Sequence, residues 1–290
     1  MVKNLIFSGG GVKGLAFIGV YKYLEEIDGL RYIDKIIGVS IGSAFAFLVT
    51  LGYNYRDIYS VFINIDFSKT HSINTECLFN FVDNYGLDNG DKISKILKIF
   101  LRRKYKTDDI TFNELFEKTN INLNILGTCL TTMSSTWFNL KNSPTMSVIT
   151  AIKISMALPF IFMPLTIDNK IYVDGGLTNN YPIDSFNNNN KETIGIVITN
   201  DSFKYYKIDN IIDYMLAVLQ TNFVKQDNEK IIKYFDVTIE LKIDSNALEF
   251  NITREKKQEF IDLGYEQTKN EIRNKYSFLL KTNHYSIKNE

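Results

Sequence analysis

The sequence predicts an α/β fold of three layers, α/β/α, with helices on both sides of a mainly parallel central sheet. Residues 4–7 are a short apolar run that stops at Ser8-Gly9-Gly10-Gly11, beyond which Phe17, Val20, Tyr21 and Leu24 recur at the spacing of an amphipathic helix. Residues 35–39 repeat the pattern of strand, turn and helix, passing through Gly38-Val39-Ser40-Ile41-Gly42 into Ala44-Phe45-Ala46-Phe47-Leu48. That second strand is apolar at successive positions, as a parallel strand covered by helices on both faces must be. Two such units in succession point to an α/β sheet.

The remaining elements follow in order. Residues 54–120 read as mostly helical, with Ile93, Ile96, Leu97, Phe100 and Leu101 on one face and Lys95, Lys98, Arg102 and Lys106 on the other. That basic face is either solvated or a contact for anionic phospholipid. A strand is expected at 122–130, with 136–140 paired beside it. Val148, Ile149, Ile152 and Met156 mark a helix that must end near Pro159, because the residue before a proline resists helix. Residues 170–173 form a brief strand closing on Asp174-Gly175-Gly176, and 193–199 form a buried one. Ile208, Ile211, Ile212, Met215 and Leu219 give a helix, 234–241 a strand, and Ile261, Tyr265, Thr268 and Ile272 a last helix. One catalytic domain is expected over 1–290: core blocks in 3–200, a helical insert at about 66–120, and C-terminal helices with one strand at 205–280. The run 156–165 suits either an acyl groove or ordinary core.

Composition narrows the function. Lys+Arg 33 balances Asp+Glu 33, so the charge footprint of a nucleic-acid binder is missing. Cys77 and Cys129 have no metal-like spacing, and neither a metal nor any other cofactor is expected. No apolar run is long enough to cross a bilayer. The expectation is a cytoplasmic protein able to rest peripherally on a membrane; the sequence leaves its oligomeric state open. The asparagines at 187–190 reflect compositional bias.

The chemistry concentrates in glycine-rich turns. Gly38-Val39-Ser40-Ile41-Gly42, between a strand and a helix, is the context in which G-x-S-x-G forms a nucleophile elbow that lifts Ser40 out of the sheet. Its plainer alternative is a serine capping the following helix. Gly9-Gly10-Gly11-Val12-Lys13-Gly14 satisfies a dinucleotide fingerprint, but no acidic residue ends the second strand to hold a ribose. The other use of such a loop is an oxyanion hole, with the N–H groups of Gly10 and Gly11 beside Ser40.

A serine nucleophile needs a base. His284 follows Ser40 and Asp174 in the Ser, Asp, His order, but stands in a polar terminal stretch with nothing apolar to orient it. His71 lies between Thr70 and Ser72 and reads as a surface residue. Asp174, at a strand end before two glycines, is the carboxylate candidate, with an Asx turn as its alternative role.

With these pieces in place, the chain resembles the patatin-like phospholipases. Their glycine block appears as Gly9-Gly10-Gly11-Val12-Lys13-Gly14 and their serine elbow as Gly38-Val39-Ser40-Ile41-Gly42. A third block appears as Ser155-Met156-Ala157-Leu158-Pro159, though Lys153-Ile154-Ser155 replaces the usual Ala-Ser. The fourth is Asp174-Gly175-Gly176, followed by Asn180-Tyr181-Pro182. The resemblance implies a lipid acyl hydrolase with Ser40 as nucleophile, Asp174 as base, no catalytic histidine, and an oxyanion loop of Gly9, Gly10 and Gly11 toward which Lys13 points. The substrate would be a phospholipid or other acyl lipid, with an acyl-enzyme intermediate. An aspartate base is weak in water, so its site should be desolvated. The alternative from another class is a non-catalytic lipid- or nucleotide-binding protein on an α/β fold.

Overall fold

The computed structural model describes residues 1–67, 81–186, 192–200, 208–209, 211–247 and 249–281. His71, His284, Cys77 and the asparagines 187–190 lie outside the described residues.

Among the described residues the main sheet has eight strands: β1 (Asn4–Phe7), β2 (Lys35–Val39), β4 (Asn122–Cys129), β5 (Ser134–Asn139), β7 (Leu165–Ile167), β8 (Lys170–Asp174), β9 (Thr193–Thr199) and β10 (Thr238–Lys242). Two short strands, β3 (Gly86–Asp88) and β6 (Phe160–Phe162), pair separately. The order β10-β9-β1-β2-β4 is parallel throughout. Beyond it the sheet turns antiparallel, β4 pairing with β5 and β8, and β8 with β7. Strand β10 begins four residues later than the sequence suggests, because Phe235–Val237 form a turn of 3₁₀ helix first.

Alternation along the central strands shows why both faces are covered. Leu5 and Phe7 point into the larger core, with Ile36, Ile194 and Ile196. Ile6, Ile37 and Val197 point the other way, onto Tyr181, Ile183 and Val237. The larger core holds α1 (Ala16–Glu26), α2 (Ile41–Thr50) and the helix Arg254–Lys275. In it Phe7, Phe17 and Phe45 meet with ring centroids 5.1–5.7 Å apart. Each such ring is worth on the order of 2–3 kcal/mol in buried area.

Helix α1 and the helix Arg254–Lys275 cross with backbones in contact. A Cβ at Gly19 would lie 1.9 Å from the Ile261 carbonyl oxygen, and one at Gly264 2.1 Å from that of Ala16. Gly264→Val should therefore cost at least about 1–3 kcal/mol by overpacking, read as a lower urea midpoint; an unchanged midpoint would show that the helices separate freely.

The register then positions the site. Val39, the last residue of β2, pairs with Leu126 of β4, and Asp174, the last of β8, pairs with the next residue, Gly127. Strand β1 ends beside them, Phe7 opposite Gly38. The residues following β1 and β2 thus meet the end of β8 at the carboxyl edge of the parallel strands, where α/β sheets place their ligands.

Candidate active site

Ser40 has φ 51 and ψ −128, a conformation that costs a non-glycine residue energy and persists only when its surroundings enforce it. Several bonds enforce it. The Ser40 N–H donates to Ser155 Oγ at 2.9 Å, and the Ser155 hydroxyl donates to the Leu126 carbonyl at 2.6 Å. The Ser40 carbonyl accepts from the Ser43 N–H at 2.8 Å and the Ser43 hydroxyl at 2.6 Å. The turn is tight enough to require glycine at Gly42, where a Cβ would lie 2.4 Å from the carbonyl oxygens of Phe7 and Ser8. At Gly38 a Cβ would meet Ser43 Cα at the same distance.

Ser40 occupies the N-cap position of α2, yet its side chain makes no capping bond. Its hydroxyl lies near enough to the Asp174 carboxyl to lower that group's pKa. Asp174 is 2 % exposed, and its carboxyl accepts the Gly176 N–H at Oδ1, 2.7 Å away. Burial raises its pKa from 3.8 to about 7, against the lowering influence of Ser40 and of the Gly176 N–H. The Asx turn and the contact with Ser40 therefore coexist in one side chain. The Asp174 N–H donates to the Ala157 carbonyl at 2.9 Å, which ties the third glycine-free block to the site. Gly175 packs under the strand, where a Cβ would lie 2.2 Å from the Leu126 carbonyl oxygen.

The glycine loop divides its labour. The Ser8 hydroxyl closes its start, donating to the Gly9 carbonyl at 2.8 Å and accepting from the Ile198 N–H at 3.2 Å. The Gly9 N–H donates to the Asn180 carbonyl at 3.3 Å and that of Val12 to Ala247 at 2.9 Å. Among the described residues, the N–H groups of Gly10 and Gly11 donate to no protein acceptor. Gly9 thus departs from the expected donor role: its N–H is committed, and its part is to let Ser40 approach, a Cβ there falling 3.3 Å from the Ser40 Cβ. Gly14 serves the same end beside Ile41, whose Cγ1 would be 2.7 Å from its Cβ.

Lys13 also departs from expectation. Its ammonium is buried and donates to Asn200 Oδ1 at 2.9 Å, at the end of β9. Burial lowers its pKa to about 8, and the charges of Asp244 and Asp227 raise it in part. A buried cation goes where acceptors and counter-charges compensate its desolvation, which here is the loop's support.

A family model for patatin-like phospholipases matches residues 5–187. The chain belongs to the patatin-like phospholipase family. A protein of Acanthamoeba polyphaga mimivirus, the uncharacterized protein R571, is 30% identical over 286 residues, covering 93% of this chain and 94% of its own. The probable lipid hydrolase 463L of Invertebrate iridescent virus 6 is 30% identical over 248 residues, covering 80% of this chain and 85% of its own. The crystal structure of VipD from Legionella pneumophila shares the fold with a TM-score of 0.66 at 16% identity, over 94% of this chain and 67% of that one.

This patatin-like site has supports that residue patterns did not assign. Ser155 holds the elbow by its hydroxyl, and only its place in the third block hinted at a use. Asn180 and Asp227 join at 2.6 Å behind the glycine loop, and nothing in the polar stretch around Asp227 marked it. In the apolar run 156–165, Ala157, Ile161 and Phe162 form a small core with Leu216, while Met156, Leu158, Pro159, Phe160, Met163, Pro164 and Leu165 stay half-buried. A small apolar pocket of about 30 Å³ lies between the glycine loop and the start of α2, lined by Val12, Leu15, Ile41, Ala44, Phe45 and Phe62. On the helix Asp91–Tyr105, the expected basic face is partly neutralised, Arg102 pairing with Asp108. Among the described residues no helix is long and apolar enough to cross a membrane, and no cluster of His, Cys, Asp and Glu could hold a metal ion.

Proposed function

We propose that the protein is a lipid acyl hydrolase of the phospholipase A type, cutting fatty-acyl esters through a Ser40–Asp174 dyad. The observation that carries this reading is a serine in a strained elbow brought by the β4 register beside a carboxyl that is 2 % exposed, a burial that raises the carboxyl pKa to about 7. A base poised near the working pH is the most effective proton acceptor. Asp174 takes the Ser40 proton as Oγ attacks the acyl carbonyl, and the N–H groups of Gly10 and Gly11 hold the oxyanion. The tetrahedral intermediate collapses, and the leaving alcohol receives the proton from Asp174. A water then gives its proton to Asp174 and attacks the acyl-enzyme; the fatty acid leaves as Asp174 returns that proton to Ser40 Oγ.

The substrate implies a peripheral meeting with lipid surfaces. The whole reading is tested by labelling with a fluorophosphonate, followed by a lipid panel with mass spectrometry of the products. Stoichiometric labelling at Ser40 with release of fatty acid is expected; an unlabelled protein that leaves every lipid ester intact would refute it.

A further inference from the structure

Behind the glycine loop, one carboxylate outside the dyad has the placement of a positioning group. Asp227 lies in the helix Ile211–Lys233 and is 5% exposed. Its Oδ2 accepts the Asn180 Nδ2–H at 2.6 Å, whereas Oδ1 is buried with no hydrogen-bond partner among the described residues. A buried carboxylate with an orphaned oxygen is costly, and the nearby charges of Lys230 and Lys13 offset only part of that cost, since burial still raises its pKa to about 6. On either side of it Asn222 already donates to the Leu177 carbonyl, and Lys230 to Asn179 and the Tyr181 carbonyl.

What Asp227 touches explains its retention better. The Asn180 backbone carbonyl accepts the Gly9 N–H, so this residue anchors the glycine loop. Its side-chain Oδ1 lies 2.2 Å from where a Gly9 Cβ would be, and 3.1 Å from the corresponding point at Gly176. Asp174 Oδ1 is also 3.1 Å from that second point, and it accepts the Gly176 N–H. Asn180 is thus wedged between the loop that faces the oxyanion and the turn that holds the acid. A carboxamide can present either its oxygen or its NH₂ in such a place, with opposite hydrogen-bonding character. A carboxylate only accepts, so it draws the NH₂ to itself and turns the carbonyl toward Gly9 and Gly176. The flipped amide would bring a donor to the side where Asp174 must stay free to accept from Ser40.

We propose that Asp227 is a positioning residue for the hydrolysis, fixing the orientation of the Asn180 carboxamide and through it the alignment of the Gly9–Gly11 loop with Asp174. The proposal rests on the ester-hydrolase reading above. Its test is a steady-state comparison of the full-length protein with Asp227→Leu, Asp227→Asn, Asn180→Ala and the Asn180→Ala/Asp227→Leu pair, with melting curves for each. Asp227→Leu should lower kcat about 10- to 100-fold with KM little changed, the scale of a small misalignment of reacting groups. Asp227→Asn keeps an acceptor and should recover most of that loss. With Asn180 already replaced, Asp227→Leu should cost nothing further, because a residue acting only through another has no effect once that partner is gone. Losses that multiply in the pair overturn the proposal, as does an Asp227→Leu protein with wild-type kcat. If Asp227→Leu does not fold, an Asp227→Asn protein that folds but is as impaired as Asn180→Ala overturns it as well. A wild type that neither labels nor hydrolyses overturns the hydrolase reading and this proposal together; an active wild type beside an unaffected Asp227→Leu overturns this proposal alone.

Discussion

Ser40→Ala should leave a folded protein whose ester hydrolysis has dropped by about 10⁴-fold or more, the scale on which losing a nucleophile is felt when the rest of the machinery survives. Folding is expected to survive because the elbow is held by groups that alanine keeps. The Ser40 N–H still donates to Ser155 Oγ, and its carbonyl still accepts from Ser43. Alanine is no worse than serine at φ 51. What disappears is the hydroxyl and its interaction with Asp174. That interaction favours the ionised carboxylate, so its loss should push the Asp174 pKa further up from about 7. The measurement is turnover of a phospholipid or acylglycerol beside a melting curve, with fluorophosphonate labelling as a second readout. Retained turnover in a folded Ser40→Ala protein would mean that another group attacks the ester, and the dyad would have to be abandoned.

How much of this was legible depends on the range over which each feature is determined. The elbow was legible because its constraint is local: Gly38 and Gly42 are needed by atoms that the turn itself brings close. The parallel half of the sheet was legible for the same reason, its strands being apolar on both faces and followed by helices. The meeting of Ser40 with Asp174 depends instead on Leu126 and Gly127, consecutive residues of β4 that pair with the ends of two different strands. Nothing in their types announces this, and only the family resemblance supplied the pairing. Ser155 holds Ser40 across a separation of 115 residues, and Asp227 holds Asn180 across 47. Such contacts leave no periodic trace. Lys13 misled because a basic residue in an anion-binding loop suggests an electrostatic role at the site, whereas burial gave its ammonium to Asn200. The start of β10 was placed early because Phe235 and Val237 are good strand residues that the chain uses in a turn.

Asp174→Asn should likewise abolish most activity, by about 10²–10⁴-fold, the usual share of a positioned base, and it should do so while making the protein more stable at alkaline pH. The two effects share one cause. In the folded protein burial raises the Asp174 pKa from 3.8 to about 7. Between those values the native state holds a proton that the unfolded chain has released. Stability therefore falls as pH rises through that window, and the full penalty is present above about pH 7. At 1.36 kcal/mol per pH unit the upper bound is about 4 kcal/mol. Asparagine is neutral at every pH, and its side-chain oxygen can still accept the Gly176 N–H. Urea titrations should show the advantage of Asp174→Asn growing from pH 4 to 7 and levelling off above. The same proton sets the wild-type rate: kcat/KM should rise through a single ionisation near pH 7 as Asp174 becomes able to accept from Ser40. Parallel stability curves for the two proteins, or a rate flat from pH 5 to 8, would show that the carboxylate is not desolvated as its burial implies. The group that makes Ser40 reactive is then also one the fold holds unwillingly as a charge, and the influence of Ser40 and of the Gly176 N–H is what keeps it ionisable near neutral pH.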